Sequence, residues 1–92
     1  MRRIWKYPLK ENDVTTIVGN IYCIRAIMVQ DGIPQVWIEM DDDCAEVSID
    51  LVSVGTGWDV LSEVMECFHY VDSVIVGDYV WHYYWVYTPG GN

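Results

Sequence analysis

The residues able to do chemistry fall into a few short groups. Gly55-Thr56-Gly57, followed by Trp58, is a glycine-rich turn. If a helix begins at Asp59 behind it, its backbone N–H groups can face a phosphate. Read plainly, it is a tight connection between two strands. Arg25 falls among apolar neighbours, so it either pairs with a carboxylate or meets an anion in a pocket. Tyr79, Trp81, Tyr83, Trp85 and Tyr87 alternate along one side of a strand. Such a stripe can stack nucleobases, each contact being worth about 1–3 kcal/mol. It can equally be core and subunit interface. Trp37, Trp58, Trp81 and His82 are further candidate walls for a ligand.

Other groups carry less. In a regular hairpin His69 and His82 share a face, with His69 opposite Val86. At about 3.3 Å per residue they are then on the order of 13 Å apart and cannot share a metal. His82 opposite Ser73 reads as a structural histidine or a hydrogen-bonding pocket wall. Asp41-Asp42-Asp43, with Glu39 and Glu46, lacks the spacing of a calcium loop. It reads as a solvated hairpin end or, together with Asp50, as a surface that imitates DNA phosphates. Cys23, Cys44 and Cys67 are odd in number and form no CxxC, against a disulfide framework and a zinc site. No Ser-His-Asp or Cys-His spacing and no P-loop is visible, so an enzyme, a metal and a cofactor are not expected.

The chain that positions these groups has 92 residues, room for a single domain spanning 1–92. Apolar residues make up 52% of it, enough for it to fold. Five Trp, seven Tyr and one Phe are hard to hide in one small core. A second copy or a ligand is therefore expected to cover part of them. Net charge is −9, and Arg2, Arg3, Lys6 and Lys10 lie in the first ten residues. From residue 11 onward Arg25 alone faces all 14 acids. Direct duplex-DNA binding and anionic-membrane binding are not expected. The first ten residues lack a signal peptide's apolar run, no stretch approaches a membrane span, and a reducing cytoplasm is the expected setting.

The pattern predicts a mainly β fold: a small antiparallel sheet of about six to seven strands built from hairpins, with one short helix or turn near 59–68. Ile4–Leu9 reads as a strand with Pro8 at an edge, and Val14–Val18 as a short β-branched strand ending at Gly19-Asn20. Ile21–Gln30 and Ile33–Asp41 flank Asp31-Gly32, a type I′ turn signal. That register sets Cys23 opposite Met40 and leaves Arg25 interrupting the apolar face. Glu46–Val54 alternates as another strand. Val60, Leu61, Val64, Met65 and Phe68 have helical spacing. Phe68–Val76 and Tyr79–Tyr87 flank Gly77-Asp78, suited to a type II′ turn. Both faces of this last hairpin are substantially apolar, which calls for cover on both sides and makes a homo-oligomer the expected state. Thr88–Asn92 reads as a flexible tail.

IWKYPL at the start, GIPQVW after the Asp-Gly turn, VGTG at 54–57 and YVWHYYW near the end occur in one order. In that combination the chain resembles a family of small proteins encoded by bacteriophages and prophages. Where that family often has His after Val-Gly-Thr-Gly, this chain has Trp58. The resemblance implies a phage gene product acting in the host cytoplasm, and by analogy an inhibitor of host defence. One expectation is an oligomeric sponge that sequesters a small nucleotide immune signal, using Gly55, Thr56, Gly57, Trp58, Arg25, Trp37, Trp81 and His82. The alternative is an acidic inhibitor of a host DNA-handling defence protein, of the anti-CRISPR or anti-restriction type. It would present Glu39, Asp41, Asp42, Asp43, Glu46 and Asp50. A phage structural or assembly factor is a third.

Overall fold

Two tight turns set the hairpins. At Asp31-Gly32 both residues have positive φ (55° and 76°), as a type I′ turn requires, and at the second turn Gly77 has φ 60°. The computed structural model describes residues 1–59 and 69–88. Its strands are β1 (Arg2–Pro8), β2 (Val14–Gly19), β3 (Ile21–Gln30), β4 (Ile33–Asp41), β5 (Val47–Gly55), β6 (His69–Val76) and β7 (Tyr79–Thr88). All pairings are antiparallel, and they form two sheets, ordered β1-β4-β3 and β2-β5-β7-β6. The helix or turn expected over 59–68 falls, after Asp59, outside the described residues. So do residues 89–92, whereas Thr88 ends β7.

The split into two sheets happens at a corner. The chain leaves β2 at Gly19 and enters β3 at Ile21 without reversing, so one extended run serves both sheets, a usual way to make a corner. Gly19 packs so closely under Met40 that an added Cβ would lie 2.8 Å from Sδ. Asn20 fastens the corner. Its carbonyl accepts from the Asp41 N–H (2.9 Å), and its side-chain amide donates to the Cys44 carbonyl (2.7 Å).

The two sheets share one core. Ile27, Val36 and Ile38 come from one, and Ile17, Ile49, Leu51, Val74, Trp81 and Tyr83 from the other. Val36, Ile38 and Leu51 are fully buried, each contributing about 1.5–3 kcal/mol by leaving water. Tyr83 is as deeply buried, and its hydroxyl donates to the Lys10 carbonyl (3.1 Å). That bond ties β7 to the link between β1 and β2. Burial pushes the Tyr83 phenol up to about 12. Ser53 secures the same link, its hydroxyl accepting from Asn12 N–H (2.9 Å) and its N–H donating to the Asp13 carbonyl (3.1 Å).

Three irregularities correct the register expected from simple alternation. The β3–β4 ladder shifts between Ile21 and Cys23 and again between Ile24 and Ala26. Tyr22 and Arg25 are the extra residues. Cys23 therefore pairs with Glu39 rather than Met40, and Ile24 pairs with Ile38 and packs against the core. Arg25 does not interrupt the apolar face, because the bulge turns it out to the surface. The β6–β7 ladder shifts between Tyr70 and Asp72, at Val71. His69 then pairs with Trp85 instead of Val86, and His69 and His82 lie on opposite faces of the sheet.

Candidate functional site

β3 and β6 are the edges along which the two sheets meet, and they lie side by side without forming a ladder. All three bulges sit on these two strands. Bulges bend and twist a strand, and where Tyr22 and Val71 kink their edges a cleft of about 540 Å³ opens. Ile21, Cys23 and Ile24 form one wall and Tyr70 and Val71 the other, with Val47, Ile49 and Trp85 as the floor. Tyr22 stands at the rim, 46% exposed. An apolar cleft of this size with a few polar groups suits a small planar ligand.

Each aromatic wall is held by a second group. His69 stacks on Trp85, ring centroids 5.0 Å apart at 30°. Tyr70 meets Tyr84 edge-on at 5.3 Å, and its hydroxyl lies 3.1 Å from His82 Nδ1. His82 Nε2 is in turn 2.6 Å from Thr56 Oγ1, which lies 3.4 Å from the Val80 carbonyl. With His82 neutral and its proton on Nε2, every donor in this chain has an acceptor: Tyr70 O–H to Nδ1, Nε2–H to Thr56, Thr56 O–H to Val80. His82 thus holds the Tyr70 phenol on the outer face of the sheet, opposite the face of Trp85, and fixes the β6 edge that borders the cleft.

Two guanidiniums stand near the rim, each paired with carboxylates. The Arg2 guanidinium lies over the Tyr22 ring, 3.9 Å from its centroid, a cation–π contact. Arg2 Nε donates to Asp41 Oδ2 (2.8 Å), and Nη1 is 3.7 Å from Glu39. Arg25 donates to the same Glu39 through Nε (2.8 Å) and pairs through Nη2 (2.7 Å). The hydrogen bond to Asp41 raises the Arg2 pKa, and that to Glu39 raises Arg25. The Asp43 N–H, followed by Arg2, holds the Asp41 carboxyl below the usual carboxylate range. Each guanidinium has five N–H donors, so both keep some for a further acceptor.

The residues singled out from sequence divide between the sheets. Gly55, Thr56, Gly57, Trp58, Trp81 and His82 gather at the end of β5. Gly57 (φ 85°) takes the left-handed place in a turn closed by Trp58 N–H to the Gly55 carbonyl (3.0 Å), the type II pattern. Thr56 N–H donates to Val80 (3.1 Å), so two of the turn's N–H groups are already bonded within the chain. Gly55 lets two indoles close over it: an added Cβ would lie 3.2 Å from Trp58 and 3.3 Å from Trp81. Trp58 meets Trp81 edge-on (5.3 Å, 86°), and Tyr79 stacks on Trp81 (5.9 Å, 30°). The Trp81 indole N–H is buried and has no hydrogen-bond partner among the described residues. Arg25 and Trp37 belong to the other sheet, where Trp37 is half-buried between Lys6 and Ala26.

Nor do the acids make one surface. Glu39 and Asp41 are engaged by arginines, and Asp50, in the other sheet, accepts from Thr16 Oγ1 (2.6 Å). Asp42 lies 3.8 Å from the N-terminal amine. Asp43 and Glu46 are exposed. Among the described residues no cluster of His, Cys, Asp and Glu is placed to hold a metal, and no helix is long and apolar enough to cross a membrane.

Tyr22 and Tyr70 are the site residues that sequence reasoning missed. Both belong to the irregular stretches, which strict alternation does not flag. Trp85 was visible only as one ring of the aromatic stripe. The model of the family described as Domain of unknown function (DUF7352) matches residues 1–91, and the chain belongs to that family. No curated protein and no solved structure matches it.

Proposed function

We propose that this member of the DUF7352 family is a non-catalytic binding protein that takes a small nucleotide into the cleft between β3 and β6. The observation that carries the reading is the cleft itself: about 540 Å³, floored by Trp85, with Arg2 held over Tyr22 at its rim. The base stacks on the aromatic floor and rim, and a phosphate replaces part of the carboxylate contact of Arg2 and Arg25. Gly55-Thr56-Gly57 acts at one remove, its Thr56 holding His82 and His82 holding Tyr70 on the β6 edge of the cleft. The resemblance to small phage and prophage proteins supplies the setting, a phage-encoded, oligomeric sponge that withdraws a nucleotide immune signal in the host cytoplasm.

Calorimetry against cyclic mono- and dinucleotides and cyclic ADP-ribose isomers tests this. One class binds, and Tyr22→Ala, at an exposed position, weakens it about tenfold or more, since one aromatic–base contact is worth about 1–3 kcal/mol. Absence of heat across the panel at micromolar protein would sink it. Capture of a basic host protein, lost when Asp42, Asp43 and Glu46 are reversed in charge, would put the acidic-inhibitor reading in its place.

A further inference from the structure

The two sheets have four edge strands, β1, β3, β2 and β6, and three of them carry a device that discourages further pairing. β1 bears Arg2, Lys6 and Pro8. β3 has two bulges and β6 has one. Charges, proline and bulges are the usual means by which soluble proteins blunt an edge. β2 has none. It reads Val-Thr-Thr-Ile-Val-Gly, with no charge and no proline, and pairs with β5 through six residues in unbroken register. Among the described residues no other strand ladders with it. Apart from the Val14 N–H, which donates to the Asp13 side chain, its backbone makes no hydrogen bond to the described residues beyond that ladder.

The exposed face of β2 also reads the same in both directions. Val14, Thr16 and Val18 point outward, with Val14 41% and Val18 58% exposed. Antiparallel pairing about a twofold axis at Thr16 sets Val14 against Val18 of the second copy, and Thr16 against Thr16. Such cross-strand pairs are favourable, and paired residues stay on one face. An isologous contact needs a surface complementary to itself, and this strand is one.

We propose that β2 is the interface through which two copies of this chain associate. The four-stranded sheets of the two copies join edge to edge into one continuous eight-stranded sheet. The interface lies on the flank away from the cleft, so it holds whatever the cleft binds.

Two double variants test it, Val14→Glu with Val18→Glu, and Val14→Lys with Val18→Lys. Both alter exposed side chains, and circular dichroism and melting unchanged at a dilution where the unaltered protein has one-chain mass would verify the fold. Light scattering across a concentration series is expected to show the unaltered chain moving from one-chain to two-chain mass. Each double variant alone stays at one-chain mass, because like charges then face each other. Mixed, they recover two-chain mass. Ile75→Lys, on β6 and 69% exposed, leaves the dimer intact. One-chain mass for the unaltered protein at every concentration would overturn the proposal, as would a dimer that survives in either double variant. Failure of the mixed variants to associate, or a dimer abolished by Ile75→Lys, would overturn it too, the last by pointing to face-to-face packing.

Discussion

The two flanks of this molecule are built by opposite means. Along one, β3 and β6 carry three bulges and part around a cleft. Along the other, β2 runs in perfect register with β5 and ends in a plain edge. Irregularity makes a concave site because each extra residue breaks the alternation: Tyr22 turns to the rim, Arg25 turns to Glu39, and Val71 shifts the register that puts Tyr70 beside His82. Regularity leaves an unused row of backbone donors and acceptors. Recognition of a small molecule and recognition of another chain are thereby assigned to different sides of one core.

That comparison can be broken most forcefully at the core both flanks share. Leu51→Ala is expected to lower stability by about 2–5 kcal/mol, seen as a lower denaturant midpoint, and to weaken cleft and edge together. Tyr83 comes next. Its pKa is raised to about 12 from the ordinary phenol value of 10.0. The native state therefore holds this proton more tightly, and the associated stability is complete below pH 10 and lost as pH rises through 12. The loss is roughly 2–3 kcal/mol, at 1.36 kcal/mol per pKa unit. Denaturation curves from pH 9 to 12 should show Tyr83→Phe escaping this loss.

Deleting Val71 sharpens the comparison. Every remaining β6–β7 pair keeps its partner, so the hairpin persists at a cost of about 1 kcal/mol. The kink that opens the cleft disappears, and calorimetry should show nucleotide binding lost while the mass of the assembly is unchanged. Asp41→Asn acts on the rim alone. The carboxyl is depressed below the ordinary aspartate value of 3.8, so its contribution is present above that pH and lost as pH falls through the lower folded value. The variant should melt lower than the unaltered chain at pH 7, and the gap should close in acid. The smallest effect belongs to Gly19→Ala at the corner, within about 0.5 kcal/mol, because the atoms it meets are the swinging end of Met40.

These differences follow the line between what alternation reveals and what it hides. The turns at Asp31-Gly32 and Gly77 were legible, because positive φ demands particular residues. Strand positions were legible within a residue or two; the aromatic stripe was legible as one face, but the pattern left open whether it lies inside, where Trp81 and Tyr83 are buried. The bulges were not. β3 is apolar on both faces near Ile21–Ile27, and β6 near Tyr70–Ile75, so a slip of one residue exposes nothing that the pattern forbids. Arg25 and His69 were placed on the wrong face for that reason, and Tyr22 and Tyr70 were overlooked. Division into two sheets was hidden too, because Gly19-Asn20 reads as the end of a strand within one sheet, whereas it carries the chain from one sheet into the other.

The pairing order also has a consequence in time. β1 waits for β4, and β2 for β5, with a complete hairpin made in between. During synthesis the β3–β4 hairpin can close as soon as it emerges, whereas β2 must remain single until β5 follows it from the ribosome. Contacts of such long sequence separation form late and slow folding. The same uncharged strand that suits a partner in the finished protein is thus the segment most open to mispairing in the nascent one. The rate of elongation between Asn20 and Val47 sets how long that exposure lasts.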